Sequence, residues 1–189
     1  MTCLPANYHK VMRFASHEEA VAAIEFALIL PIMLVVFVGV TQVGEAVSIS
    51  QKVTITARTI TDLVTRENSP LAASELNTDL QAAAQVMVPY PSSTLTVTVS
   101  QISTDANGKA TVDWSGSWPD NTKALLKGAL FTLPSSLSAA NITVVYGHVS
   151  YGYTPVVGYK IVGTMTLSDG IYFYPRTGAC ISGPGYTCP

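Results

Sequence analysis

Charge is what this chain has least of. Only 12% of its 189 residues are charged, about half the share of an average soluble domain. With a net charge of −2 it has no basic patch to attract nucleic acid, and that class of partner is set aside. Histidine is nearly as scarce: His9 and His17 precede the long apolar run, and His148 alone comes after it. No HExxH, GxSxG, glycine-rich phosphate loop or metal-spaced cluster occurs. A lone histidine between Gly147 and Val149 reads as a strand residue. Asp105, Asp113, Asp120 and Asp169 read as turn chemistry or the solvated face of a strand. Neither an enzyme, nor a cofactor, nor a metal site is expected.

Cysteine is limited to Cys3, Cys180 and Cys188. The last two bracket Ile-Ser-Gly-Pro-Gly-Tyr-Thr, a run of turn residues. An even pair in an exported segment suggests a disulfide, and closing so short a loop would stabilise by about 2–3 kcal/mol. The bland alternative is two free thiols at a frayed terminus. Cys3 would lie across the membrane from this pair and stay reduced.

The feature present in excess is one apolar run from Val21 to Val40. It has the length of a membrane-spanning helix, about 20 residues. Two residues are unusual in a plain anchor. Glu25 sits in its first turns, where a carboxylate facing hydrocarbon costs about 2.5–3.5 kcal/mol. Pro31 lies mid-helix, cannot donate to the carbonyl of Ala27, and is expected to kink the rod. Before the run comes a polar leader carrying Lys10 and Arg13. Lys52 and Arg58 flank the other side about as closely, so positive charge does not decide the orientation. Helical spacing continues past the membrane edge through Val43, Val47, Val53, Ala57, Ile60 and Val64. One helix is therefore expected from about residue 18 to 67, on the order of 70 Å long.

A second helix is expected from Pro70, with Ser69 as cap, to about Met87, ended by Pro89-Tyr90-Pro91. Thr94–Ser100 and Ala110–Trp118 alternate as strands around the turn Asp105-Ala-Asn-Gly-Lys109, predicting a hairpin with Val112, Trp114 and Trp118 together. Asn121 to Phe131 has the spacing of a short helix, Asn121 capping it and Leu125, Leu126, Ala129 and Leu130 inward. Asn141–Tyr153 reads as a third strand, and a fourth falls near Met165–Leu167 or Ile171–Tyr174. The expected fold class is α+β, an antiparallel sheet backed by one or two short helices at the end of a long helix. The expected domains are a leader at 1–20, a transmembrane and extended helix at 21–68, and a head at 69–189.

Positive flank, small residue, four apolar residues, Glu and an aromatic together resemble a type IV prepilin processing site. More closely, Ala22-Ala-Ile-Glu-Phe-Ala-Leu-Ile-Leu-Pro31 resembles the opening of the TadE/TadG-like pseudopilins of tight-adherence (Flp-type) pilus systems. Ile55–Val64 resembles that family's post-membrane helix, and Tyr151–Gly158 and Ser168–Arg176 resemble its C-terminal segments. The resemblance implies a minor pilin-like or assembly component, anchored single-pass in the bacterial inner membrane with the N-terminus cytoplasmic and the head periplasmic. Its implied partners are other pilus or pseudopilin subunits, the assembly platform and a prepilin peptidase cutting between Ala20 and Val21, a site that includes Glu25 and Phe26. Ala20 stands where the family usually has glycine, so the resemblance implies docking through Glu25 and Pro31 more firmly than it implies the cut. A physical reason for Glu25 exists besides. Cleavage would create an α-ammonium at Val21, and a carboxylate one turn along would neutralise it within the subunit or on a neighbour. A glutamate snorkelling at the bilayer boundary is the plainer reading.

Two other readings use the same residues. Gly44-Glu45-Ala46 offers small residues at the spacing of a signal-peptide cut, which would release a soluble periplasmic protein. The tyrosines Tyr146, Tyr151, Tyr153, Tyr159, Tyr172 and Tyr174 would suit an adhesive surface, although tyrosine is common in sheet packing.

Overall fold

The computed structural model describes residues 18–67, 70–157 and 159–189. Expectations for Cys3, His9, Lys10, Arg13 and His17, for Ser69 as a cap and for Gly158 lie outside the described residues. In chain order the elements are α1 (Glu18–Thr65), α2 (Ala73–Ala84), β1 (Leu95–Thr104), β2 (Ala110–Trp118), β3 (Leu130–Phe131), β4 (Thr143–Tyr153), α3 (Tyr159–Val162) and β5 (Met165–Phe173). Contacts divide the chain into two units, Met1–Glu45 and Ala46–Pro189.

Helix α1 runs unbroken through Pro31 to Thr65. In the first unit its side chains from Val21 onward are almost all exposed. In the second unit α1 presents a stripe of Ile49, Val53, Ala57, Ile60 and Val64, all buried. The steps of three and four residues keep these side chains on one face. Ile49 replaces the expected Val47, which is 51% exposed, and Val43 is 64% exposed in the first unit. Counting back four from Val53 reaches Ile49, whereas six reaches the far side of the helix. Three threonines share the buried side. Thr56, Thr61 and Thr65 donate to the carbonyls of Lys52, Ala57 and Asp62 at 2.8, 2.7 and 3.0 Å. Their hydroxyls are thus satisfied within the helix.

Five strands form an antiparallel sheet in the order β3-β2-β1-β4-β5. One face is covered by two helices. Helix α1 crosses β4 so closely that a Cβ on Gly147 would sit 2.0 Å from Thr61 Oγ1 and 3.1 Å from the Ala57 carbonyl oxygen. Helix α2 does the same over β2, where a Cβ on Gly116 would meet Leu76. Between helices and sheet lie Leu76, Leu80, Met87, Leu95, Val97, Val99, Val145 and Val149. Helix α2 starts three residues later than Pro70 suggests. Glu75 Oε2 accepts from the Ala72 N–H at 3.1 Å and so caps the helix there, one half of a capping box. Lys52 donates to the carbonyls of Val86 and Val88 at 3.0 and 3.1 Å, satisfying backbone groups after α2.

The hairpin β1–β2 forms around Asp105, whose Oδ1 accepts from the N–H groups of Asn107 and Lys109. Its register is not regular. Gln101 pairs with Trp114 but Ile102 pairs with Val112, leaving Asp113 as a bulge. An extra residue reverses the faces beyond it. Trp114 and Trp118 therefore side with the helix-covered core, whereas Val112 turns to a second cluster with Ile102, Ala110, Leu133 and Val144. The expected grouping of Val112 with the two tryptophans is corrected accordingly.

The expected helix at Asn121–Phe131 does not form. Only a 3-10 turn, Asn121–Lys123, is present, capped by Asp120 rather than Asn121. Asn121 Oδ1 instead accepts from the Ser117 N–H. Beyond it the backbone pairs with β2: Val112 N–H donates to the Ala129 carbonyl and Gly128 N–H to the Val112 carbonyl. Leu126 and Leu130 are 79% and 69% exposed rather than inward. Gly128 has φ +78°, a conformation that interrupts a helix at no steric cost to glycine. The two alternatives for the last strand fall on one strand, β5, which ends at Phe173 and pairs with β4 from Val145 to Tyr153.

Gly147→Ala is expected to destabilise the protein by about 1–3 kcal/mol, as overpacking does. The clash involves Thr61 on α1, so Thr61→Ser is expected to leave the penalty and Thr61→Gly to relieve part of it. Urea denaturation of the three variants checks this.

Candidate functional site

The apolar half of α1 comes first. Val21–Thr65 is a helix long and apolar enough to cross a membrane, and none of its most apolar 18-residue window is buried. Glu25 lies on it with an exposed side chain. Helical spacing puts Val21 and Ile29 one turn to either side of Glu25 on the same face. Among the described residues Glu25 has no ion-pair partner. Phe26 and Val21 are exposed beside it. The backbone of Ala20 is helical, and its side chain lies outside the described residues. Pro31 sits six residues after Glu25 within the helix; lacking an N–H, it leaves the Ala27 carbonyl without its usual donor. Four of the residues singled out from sequence, Val21, Glu25, Phe26 and Pro31, thus share one short exposed stretch.

Cys180 and Cys188 are far from it in sequence and are bonded to one another, their Cα atoms 6.0 Å apart. What holds their loop to the sheet is polar and buried. Gln101 is completely buried on the helix-covered side of β1. Its Nε2 donates to Asp113 Oδ2 at 2.9 Å, and its Oε1 accepts from the Ile181 N–H at 2.7 Å. Ser103 Oγ donates to Asp113 Oδ1 at 2.7 Å. Trp114 Nε1 donates to the Ile181 carbonyl at 2.9 Å. Both backbone groups of Ile181 are therefore satisfied by side chains from the hairpin while its own side chain enters the core. Gly183 lies against the Trp114 ring, where a Cβ would approach within 2.6 Å. The Ser182 carbonyl accepts from Leu71 N–H at 2.8 Å.

The expectation of a solvated Asp113 is corrected. The bulge turns it inward, and its carboxylate is the acceptor that lets Gln101 be buried. A signal for this pair exists in β1: Gln101 shares the parity of Leu95, Val97 and Val99, a polar residue where the pattern asks for an apolar one.

The tyrosines divide. Tyr151 and Tyr153 belong to the core. Tyr146 and Tyr172 are direct cross-strand partners on the opposite face, their rings stacked 4.7 Å apart, with Phe131 5.2 Å from Tyr146. Tyr159 and Tyr174 are exposed. Burial pushes the Tyr146 and Tyr172 phenols above their usual range. His148 stacks on Tyr146 at 6.0 Å, in a cleft it shares with Thr98, Lys123, Leu125 and Phe131. Burial lowers its pKa, outweighing the opposing pull of Asp169. Among the described residues no three His, Cys, Asp or Glu side chains gather as a metal-holding group.

Asp113→Ala strands the buried Gln101 amide and is expected to cost about 1–3 kcal/mol, whereas the double variant Gln101→Leu/Asp113→Ala should cost less than the sum; chemical denaturation reads both. His148 titrates lower in the folded protein than unfolded, so the unfolded chain binds its proton first as pH falls. Stability is thus expected to be complete above the ordinary histidine value of about 6.5 and to decline below it, levelling off once folded His148 also protonates. His148→Asn should flatten that part of a stability-against-pH curve.

No curated protein and no solved structure matches the chain. A family model does: the one described as TadE-like protein matches residues 20–61. The match begins at Ala20, takes in Glu25 and Pro31, and ends on the buried stripe of α1; the segments at 151–158 and 168–176 lie outside it. Over residues 20–61 the chain is thus similar to the TadE-like family, and that stretch includes the membrane-type part of α1.

Proposed function

We propose that this protein is a minor pilin-like or assembly component of a tight-adherence pilus that works by docking, through the apolar half of α1, to other subunits in the bacterial inner membrane. The observation that carries the reading is a carboxylate, Glu25, on an apolar helix that nothing in the described chain covers. A lone carboxylate in hydrocarbon is expensive, so a partner offering it a cation or hydrogen-bond donor is stabilised by about the same amount. Val21 one turn away is where a prepilin peptidase cut after Ala20 would place a new ammonium, on the same chain or on a neighbour. In this reading the N-terminus is cytoplasmic and the head periplasmic, an oxidising compartment that suits the Cys180–Cys188 bond. Pro31 frees the Ala27 carbonyl and gives the helix a place to adapt to its neighbours.

The packing of Tyr146, Tyr151, Tyr153 and Tyr172 into the sheet favours docking over an adhesive tyrosine surface. A signal-peptide cut after Ala46 would release the chain three residues before Ile49, the start of the buried stripe.

Glu25→Gln is expected to abolish assembled pili, or reduce them at least tenfold, while the protein stays in the membrane fraction at normal abundance; electron microscopy with fractionation reads both. Normal piliation with reduced adhesion would instead support the adhesive reading. N-terminal sequencing of the extracted protein is expected to begin at Val21. A start at Met1 would leave docking and remove processing, and a start at Val47 would overturn the membrane anchor.

A further inference from the structure

Strand β5 is the outer strand of the sheet. Its nine residues pair with β4, and among the described residues no backbone pairs with its other side. In an antiparallel pair every second residue turns both its N–H and C=O outward, so about four residues of β5 present unused groups. Exposed edges are usually blunted by lysine, proline or a bulge. From Met165 to Phe173 there is no lysine, arginine or proline, and the register with β4 is continuous. The one device present is local: Asp169 Oδ1 accepts from the Gly170 N–H at 2.8 Å.

Positive charge gathers at the end of this edge. Arg58, Arg66 and Arg176 are the three arginines of the second unit, and the carboxylate set among them is Asp62. Asp62 binds Arg66 through Oδ2 and Arg176 through Oδ1, each at 2.6 Å. Arg58, one turn earlier on α1, makes no ion pair among the described residues. It lines one cleft with Asp62, Phe173 and Arg176 and a second with Gln51, Thr54 and Ile55. With Glu67, next to Arg66 in the chain and bonded through its carbonyl to Thr177, three guanidinium groups stand against two carboxylates and leave an excess of one positive charge. The only carboxylate on β5 itself, Asp169, is already engaged by Thr54 Oγ1 at 2.6 Å. A second copy pairing β5 to β5 would therefore bring no free acid to the arginines.

We infer that β5 is a docking edge for an extended acidic segment of a partner protein. The segment adds as a further strand beside β5, its alternate side chains turned toward α1 and one of its carboxylates bound by Arg58 and Arg176. Main-chain bonds supply affinity in this mode and side-chain pockets supply selectivity. A polypeptide fits better than a phosphate or a lipid headgroup. The edge offers carbonyl acceptors as well as N–H donors, and an anion has no donors for the former. The inference rests on Ala46–Pro189 alone and does not need Glu25 to dock, so either can fail without the other.

The test uses the full chain in detergent micelles and a fluorescein-labelled peptide, Thr-Val-Glu-Val-Glu-Val-Thr, read by anisotropy. Saturable binding is expected, with affinity about tenfold lower when glutamine replaces both glutamates and about tenfold lower for Arg58→Glu. Ser168→Pro removes an N–H donor two residues from Gly170 on the outer side of the strand, a position where edge proline is tolerated. It should weaken binding similarly while leaving the circular dichroism spectrum unchanged. The inference is overturned if the acidic peptide fails to bind, if the glutamine peptide binds equally, or if neither variant matters. It is also overturned if dioctanoyl phosphatidylglycerol binds in an Arg58-dependent way and the peptide does not.

Discussion

The absence of a side chain at Gly147 lets the backbone of α1 lie directly on β4, and the remainder of the second unit is arranged around that contact. With α1 this close, Ile49, Val53, Ala57, Ile60 and Val64 reach the valines of β1 and β4 and are sealed from water. Five such side chains removed from solvent are worth several kcal/mol by area, about 1.5–3 kcal/mol for each of the larger ones. The same proximity demands small or self-satisfied residues on the helix. Ala57 and Thr61 meet that demand, Thr61 by donating to the carbonyl one turn back. One helix thus serves two environments, an exposed apolar surface in the first unit and a buried stripe in the second.

The other half of the sheet is held by polar chemistry. A single extra residue, Asp113, shifts the register of β2 and carries a carboxylate into the interior. Gln101 joins that carboxylate to the Ile181 N–H, and Trp114 holds the Ile181 carbonyl. Fully satisfied, such a network specifies one arrangement; any missing member leaves a buried donor or acceptor unpaired. The disulfide loop is thus positioned by hydrogen bonds from the hairpin as well as by its own covalent closure.

The legible parts of this protein are those ruled by local periodicity. Helix α1 ends within two residues of its expected limit because no proline or glycine interrupts it after Gly44. Strands β1 and β4 obey their alternation and β2 does so from Trp114 onward, and the Asn-Gly turn lies where its chemistry points. Errors gather where periodicity is overridden. Leu125 to Leu130 has helical spacing, yet the open edge of β2 claims its backbone groups. Val112 has the parity of Trp114, yet a bulge reverses it. In the TadE-like segment, Glu25 and Pro31 stand out by composition alone, since a charge and a proline within an apolar run are conspicuous without any knowledge of packing.

By itself, then, the sequence determined the long helix, its membrane-type half with Glu25, the α+β class of the second unit, and the pairing of Cys180 with Cys188. Each is written in neighbouring residues or in simple counting. Only the tertiary structure decided which face of α1 is buried, that Asp113 and Gln101 form an interior pair, and that Arg58, Arg66 and Arg176 meet at the end of a free strand edge. Those relations join residues as much as a hundred or so positions apart in the chain, or reverse the parity of neighbours. No local pattern encodes them, because they depend on how closely the backbones of helix and sheet can approach.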